Sequence, residues 1–569
     1  MKIMNLTYSL LTALTLFAFT YNAKGQITVD CDLNQSSHTI SEYLVGTNSI
    51  YNFMGESFWD TTEIKSALMD MNCGLLRYPG GGPTSYYHWN DMNGQGWWDN
   101  WDPNYDHSKD MPAETFLDVD EYIALCNEIG TIPLIGINMS SGLHYNRVQD
   151  GIDEAKALVQ YCVDNNYNVQ RYYLDNEPYN DHSGFTMTWQ QYAEQVKLYA
   201  PAIRAINPDI EIIINWRDNI RRTDVWTLLE EVGDLIDVYD AHWYWNWAEA
   251  SFDNWATQLP MDPDPNSGSR QSYKQEIEFF NTKAASLGLN HLKLASLEWN
   301  IGPSVDIASV PTIYQTAVMQ SEMLLQFMDG GLDMAALWAI YWPDNYNPAK
   351  ARKANSRYLV HPIDDFKVSD NVEMFKLMSA ASGKTKYKTT SNNNLLYPLA
   401  VSNPEKSETF VYFLYKGQTE MPIAVSAPTS DSYELHIFSA DDVDMNNGSV
   451  KTAPLTYNET LNKYEFNMPA YSLARLQIGG IASDVPANES NNAFMEIYPN
   501  PVSDVLNLNC NSKQHPFSVQ IISLQGEQVY FQEHSINDNQ VDVSELNEGI
   551  YFITTIQHGK YSTKKFVKI

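Results

Sequence analysis

The chain reads as an α/β protein: a (β/α)8 barrel followed by a β-sandwich and a small C-terminal β domain. Three observations predict this. Between residues 40 and 382, strand-length apolar runs alternate with stretches of helical apolar spacing, the pattern of βα repeats around a parallel sheet. The runs number eight, which is the number that closes a barrel. After Ser382 the helical spacing gives way to short alternating strands separated by turn residues, as a sandwich requires. At 569 residues the chain exceeds what one core can serve, so several domains are expected.

In chain order, residues 1 to 26 read as an export signal: Lys2 supplies the positive start, Leu10 to Phe19 is apolar, and Ala23-Lys24-Gly25-Gln26 is a cleavage region. The apolar run is too short to span a bilayer, and no later segment reaches that length without charges. The mature protein is therefore expected to be exported and soluble, with no transmembrane segment after signal cleavage. Residues 27 to 39 form a strand that joins the sandwich. The barrel occupies 40 to 382, with strands around Leu44 to Asn48, Gly74 to Tyr78, Ile132 to Asn138, Val169 to Asn176, Ile210 to Trp216, Leu235 to Tyr244, His291 to Glu298 and Met334 to Trp342. Intervening stretches such as Gly151 to Asn165, Trp189 to Ile206 and Pro311 to Met328 have the apolar spacing of an outer ring of amphipathic helices. The sandwich takes 383 to 479, a linker rich in Gly, Ser and Asn takes 480 to 493, and a separate β domain takes 494 to 569.

Composition excludes several classes of function. Lys and Arg total 36 against 70 Asp and Glu, a formal charge of −34, which argues against nucleic acid as partner. Five cysteines without CxxC or other ligand spacing leave no disulfide scaffold and no zinc motif, so no metal and no cofactor are expected. An EF-hand at Asp442 to Gly448 is rejected, because the sixth position is Asn and no acidic residue stands at the twelfth.

Two apolar strands run into a carboxylate: Tyr172-Tyr173-Leu174-Asp175-Asn176-Glu177-Pro178 and Leu294-Ala295-Ser296-Leu297-Glu298-Trp299-Asn300. A charge at a core edge costs desolvation, so two of them point to a paired-carboxylate site, the equipment for glycosidic-bond hydrolysis. They fall on barrel strands 4 and 7, at the catalytic face.

These motifs, with the strand numbers, resemble the catalytic strands of glycoside hydrolase clan A. The resemblance implies Glu177 as general acid/base, Glu298 as nucleophile of a retaining double displacement, and Asn176 as a donor to the sugar 2-hydroxyl. Such an acid must be held protonated near neutral pH, by partial burial and by its carboxylate neighbour. Leu75-Leu76-Arg77-Tyr78-Pro79-Gly80-Gly81 resembles the strand-2 motif of the arabinofuranosidase-like families, notably family 51, where Arg77 would hold the nucleophile ionised. Asn176-Glu177-Pro178 is more similar to families 39, 79 and 86. In Asp240-Ala241-His242-Trp243-Tyr244 the i, i+2 spacing puts His242 and Tyr244 on one face, and the resemblance gives Tyr244 the nucleophile to orient and His242 the pocket wall. Trp299, and Trp338 or Trp342 as floor for the sugar ring, complete the expected substrate site, with Asn48 and Asn138 at the ends of strands 1 and 3.

Aromatic loops (Trp97, Trp98 and Trp101; Trp243, Trp245, Trp247 and Trp255) would stack on successive sugars or fold back as loop cores. Arg217, Arg221 and Arg222, and Lys350, Arg352, Lys353 and Arg357, would face an anionic glycan or pair with the protein's own carboxylates. The last segment, with Tyr498-Pro499-Asn500-Pro501, Gly549-Ile550-Tyr551 and Lys564-Lys565-Phe566-Val567-Lys568, resembles the C-terminal sorting domain of type IX secretion in Bacteroidota. The expectation is a secreted or cell-surface retaining hydrolase of plant or algal polysaccharide, α-L-arabinofuranosidase-like, with the secretion machinery as second partner. The alternatives are an endo-acting β-agarase or porphyranase, or another hydrolase of an anionic glycan, and, of another class, a non-catalytic surface glycan-binding protein.

Overall fold

Parallel pairing carries eight strands around a closed ring. After β1 (Ile27–Thr39) come β2 (Tyr43–Asn48), β3 (Leu75–Tyr78), β4 (Ile132–Ile137), β5 (Arg171–Leu174), β6 (Glu211–Asn215) and β7 (Val238–Asp240). Then follow β8 (Trp243–Trp245), β9 (Lys293–Ile301) and β10 (Met334–Leu337). The sheet order is β10-β2-β3-β4-β5-β6-β7-β9, and β10 pairs back onto β9 to close the barrel. This computed structural model describes all residues except 1–24, 53, 92–95, 97, 183, 264–270, 304–306, 343–354, 362–366, 482–494, 511–516, 524–527, 535–539, 548 and 558–559. The export-signal expectation lies almost wholly outside the described residues, as do most of the linker and Trp97, Lys350, Arg352 and Lys353.

Period-two alternation sorts the strand side chains into two layers. Leu75, Leu134, Tyr173, Ile213, Val238, Ala295, Leu297, Met334 and Ala336 fill the barrel interior as one buried cluster. Their neighbours Leu76, Ile135, Leu174, Ile214 and Tyr239 pack outward in the larger core shared with the helices. The helices Val119–Ile129, Trp189–Arg204, Tyr273–Ser286 and Ile313–Gly330 each open with a capping box, in which the N-cap side chain and the third helical residue satisfy each other's free backbone N–H.

Three strands depart from the sequence expectation in ways that shape the site. The sixth barrel strand does not run through Tyr244: it stops at Asp240, and after a break at Ala241 and His242 the chain forms β8 alongside the end of β9. The partner strand β9 accordingly continues three residues beyond Glu298, to Ile301. It also carries an extra residue against β10: Ala335 pairs with Ser296, but Leu337 pairs with Trp299. This bulge reverses the alternation between Leu297, which points into the barrel, and Trp299, which joins the helix layer, and it lets Glu298 face the catalytic end. The eighth strand is also shorter than expected, ending at Leu337 so that Trp338 and the residues after it leave the sheet.

A short hairpin, β11 (Val360–His361) and β12 (Lys367–Val368), precedes the second layer system. There β13 (Thr385–Ser391), β14 (Leu396–Ser402), β15 (Glu408–Tyr415), β16 (Met421–Ser426) and β17 (Tyr433–Ser439) join β18 (Ser449–Thr452), β19 (Thr456–Asn458), β20 (Lys463–Met468) and β21 (Ser472–Gly479). With β1 they form one ten-stranded sheet, ordered β18-β17-β21-β15-β14-β13-β1-β16-β20-β19. The sheet rolls into a sandwich. Phe413 on β15 meets Phe466 on β20 at 5.4 Å, and Tyr433 on β17 meets Tyr464 at 5.2 Å, although these strands are far apart in the order. At the barrel the sandwich is tied by a buried ion pair, Lys416 to Glu322 at 2.5 Å, whose members also bind Gln258 O and the Trp255 indole. Cys73, Cys126 and Cys162 are buried free thiols and Cys31 a half-buried one.

Residues from Ala482 onward form a separate unit. It has two antiparallel sheets with a core of its own that includes Leu506, Val519, Ile521, Ile553 and Phe566. Among the described residues no helix is long and apolar enough to cross a membrane.

Candidate active site

A cavity of about 590 Å³ opens at the C-terminal ends of the barrel strands, lined by Asn176, Glu177, His242, Tyr244, Glu298, Trp338 and Trp342 among others. Each element delivers its group for a local reason. Arg77 is two residues beyond the inward Leu75 on β3, so the alternation aims it inward, and it is fully buried. Its guanidinium donates to Glu298 Oε1 at 2.9 Å, to Asn48 Oδ1 at 3.0 Å and to Asn176 Oδ1 at 2.7 Å. The Tyr173 ring lies 4.2 Å below. Burial would lower the pKa of this arginine, but Tyr173, Glu298 and Asp240 outweigh it and raise it further.

After β3 the chain must turn tightly beside the cavity. A side chain at Gly80 (φ +80°) would meet Ser49 O at 2.3 Å, and one at Gly81 (φ +61°) would meet the Trp338 ring at 2.1 Å. Gly80 therefore lets the turn pass close to Ser49, and Gly81 lets Trp338 reach the pocket wall. Trp338 and Trp342 line it together, with ring centroids 5.5 Å apart.

Past β5, Asp175 and Glu177 both take left-handed backbone, φ +66° and +41°. The Glu177 N–H is held by Asn215 Oδ1 at 2.9 Å. Asn176 Oδ1 is committed to Arg77, which leaves the amide's donor end for a ligand. On β9, Glu298 Oε2 accepts from the Tyr244 hydroxyl at 3.0 Å. Burial first, then Glu298 and Glu177, push the Tyr244 phenol well above its ordinary value, so it remains a donor.

His242 sits in the break between β7 and β8 and bridges both carboxylates. Its Nδ1 is 2.8 Å from Glu177 Oε1 and 3.5 Å from Glu298 Oε2, and its Nε2 is 3.0 Å from Asp240 Oδ2. Asp240 is itself anchored by the Leu297 N–H at 2.7 Å. Burial favours neutral imidazole, but Glu298, Asp240 and Glu177 push His242 up to about 10.

Glu177 departs from the expected protonated acid. Burial does raise it, but His182, 3.4 Å from Oε2, and His242 outweigh burial and hold Glu177 well below the usual carboxylate range. The same contacts raise both histidines, so the pair's proton is drawn toward them.

Three expected substrate contacts are corrected. Trp299 is fully buried against Phe327 and Phe375, because the bulge turns it outward. Asn48 is fully buried, its amide donating to Leu297 O at 2.9 Å while its oxygen orients Arg77. Asn138 is spent on Ser141 and Tyr87 and does not line this cavity. Among the basic loops, Arg221 pairs with Glu276 at 2.9 Å, Arg222 with Asp224 at 2.9 Å and Arg217 with Asp224 at 3.9 Å. None of these three lines the cavity, whereas Arg357 does. Trp243, Trp245 and Trp255 are buried in the core, while Trp247 is 64% exposed at the cavity rim.

Sequence reasoning missed Tyr179, Asn180 and His182, which follow Glu177 directly: Asn180 donates to Glu177 Oε2 at 2.8 Å and Tyr179 to Oε1 at 3.3 Å. It also left Asp240 without a role. The stretch Glu177-Pro178-Tyr179-Asn180-Asp181-His182 is dense in donors immediately after an acid, a signal that could have been read.

The loop after β3 is pinned at His88, between Asp99 Oδ1 (3.2 Å) and Glu154 Oε2 (2.8 Å) and stacked on Trp101. Burial lowers His88, but the two carboxylates outweigh it and push it up to about 9. Its stabilisation is thus full below the unfolded-state value near 6.5 and is lost as pH rises through about 9. A rise of this size corresponds to about 3 kcal/mol. The unfolding midpoint of the wild type is expected to fall between pH 6.5 and 9.5 more steeply than that of His88→Gln. Equal slopes in the two proteins would remove His88 as the cause.

Residues 67–259 match the alpha-L-arabinofuranosidase 1 domain, and residues 496–569 match the secretion system C-terminal sorting domain. The latter marks the chain for export to the cell surface or medium. A probable alpha-L-arabinofuranosidase C of Aspergillus fumigatus is 27% identical over 210 residues, 32% of this chain and 39% of that protein. The matched stretch therefore spans about two-fifths of that relative's length. Among solved structures, an arabinofuranosidase superposes with a TM-score of 0.62 at 18% identity, covering 80% of this chain and all of that one. The Thermotoga maritima alpha-L-arabinofuranosidase, solved as an arabinose complex, superposes with 0.61 at 19% identity, covering 80% and 99%. This likeness is one of fold.

Proposed function

We propose that the chain is an exported retaining glycoside hydrolase that releases α-L-arabinofuranosyl units from plant polysaccharide. One observation carries the reading: a carboxylate oxygen of Glu177 and one of Glu298 lie within 4.8 Å of each other across the cavity. That spacing suits retention, where the carboxyl groups stand about 5 to 5.5 Å apart, and leaves no room for the water an inverting pair activates. The arabinofuranosidase domain over residues 67–259 supports the choice of sugar.

In this reading Glu298 attacks the anomeric carbon. Arg77 and Tyr244 bind its oxygens and keep it aimed. Glu177 protonates the departing oxygen, then takes a proton from the water that hydrolyses the glycosyl-enzyme. His242, 2.8 Å away, shares the proton that Glu177 delivers. Asn176 binds the sugar beside the reacting carbon, and Trp338 with Trp342 supplies the apolar wall. The sorting domain engages the type IX secretion machinery.

The test is hydrolysis of a 4-nitrophenyl α-L-arabinofuranoside followed by NMR, together with product sizing on arabinan, arabinoxylan, agar and porphyran. Arabinose released first as the α-anomer is the expected result. First-formed β-anomer would overturn retention, and turnover of only the algal glycans would overturn the sugar.

A further inference from the structure

We propose that Glu177, His242 and Glu298 together bind a borderline divalent cation, of the Zn²⁺ or Cu²⁺ class, which closes the centre to substrate. One ligand atom from each residue lies within 4.8 Å of the other two. In a shell with metal–nitrogen and metal–oxygen distances of about 2.0 to 2.2 Å, neighbouring donors stand roughly 3 to 3.5 Å apart. His242 Nδ1 is 2.8 Å from Glu177 Oε1 and 3.5 Å from Glu298 Oε2, so two of the three edges already have shell dimensions. The third edge, at most 4.8 Å, reaches shell dimensions when the two carboxylates approach each other by about 1.3 Å.

Each donor also has the outer partner that bound ligands require. The far nitrogen of His242 is held by Asp240, which the Leu297 N–H fixes in turn. Asn180 holds the far oxygen of Glu177, and Arg77 that of Glu298. The imidazole is therefore locked with Nδ1 facing both carboxylates. The remaining coordination positions open into the 590 Å³ cavity, where water can fill them.

Charge and donor type select the ion. Asp240, Glu177 and Glu298 surround the His242 ring, and a dication at Nδ1 takes the place of the proton held there, which leaves to solvent. One nitrogen and two carboxylates favour Zn²⁺ and Cu²⁺ over Mg²⁺ and Ca²⁺, which prefer all-oxygen shells. Because the donors come from three separate places, after β5, after β7 and on β9, no ligand spacing appears in the sequence.

The proposal rests on side-chain placement and holds whether or not the glycosidase reading does. The experiment is calorimetric titration of the full-length chain with ZnCl₂, and with MgCl₂ as the contrasting ion, joined to zinc X-ray absorption. The expected result is one zinc per chain in the micromolar range, in a nitrogen and oxygen shell containing one imidazole, with no magnesium binding. His242→Gln should weaken binding by about 100-fold and Asp240→Asn by about 10-fold. Should His242→Gln fail to fold, judged by circular dichroism, Asp240→Asn decides. No heat up to millimolar zinc, or unchanged affinity in the folded variants, overturns the site. In the activity arm, zinc should abolish aryl-glycoside turnover, and EDTA should restore it. Turnover unaffected by saturating zinc overturns the closure. Zinc bound through His242 by a metal-free chain that never turned over any glycoside upholds this site and overturns the proposed function instead.

Discussion

Glu298→Gly is expected to lower kcat/KM for an activated aryl arabinofuranoside by about 10⁴- to 10⁶-fold, the scale on which loss of a covalent nucleophile is felt. Glu298 lines the cavity and is held by a fully buried guanidinium: Arg77 donates to Glu298 Oε1 at 2.9 Å. The variant leaves that guanidinium with Asn48, Asn176 and the Tyr173 ring, enough partners for the fold to survive. Azide, small enough for the space left by the carboxylate, should restore turnover and yield a glycosyl azide of inverted configuration. A retained azide product, or a rate within tenfold of wild type without azide, would show that Glu298 is not the nucleophile.

Glu177→Gln should separate substrates by their leaving groups. The substitution keeps the size and part of the hydrogen bonding at a residue whose backbone is left-handed, φ +41°. With an alkoxide-type leaving group, as in an oligosaccharide, kcat/KM should fall by about 10²- to 10⁴-fold, the usual worth of general acid catalysis. With 2,4-dinitrophenoxide, which leaves without protonation, kcat/KM should stay within about tenfold while kcat falls, because deglycosylation still lacks its base. A loss of equal size on both substrates would make Glu177 a positioning residue.

Barrel and sandwich were legible because alternation and helical spacing are local properties, and because eight runs can close only one way. The acid and the nucleophile were legible for the same reason, each ending a run of apolar residues. Trp299 was expected in the substrate site, but an extra residue inserts against β10 beyond Leu297 and turns it outward. Such an insertion costs one ladder pairing and leaves no mark in composition. The protonation of Glu177 was misjudged because its two histidines were not recognised as its partners: His182 lies in the loop beyond it, and His242 is 65 residues away.

By itself, the sequence determined which strands carry charge to the catalytic face, that two carboxylates share it, and that a sorting domain follows the sandwich. Only the tertiary structure decided how those charges are held. Arg77 meets a carboxylate 221 residues away, and Tyr244 meets the same one 54 residues away. Electrostatic effects act through space and grow as water is excluded, so the state of each group depends on neighbours that only the closed barrel assembles.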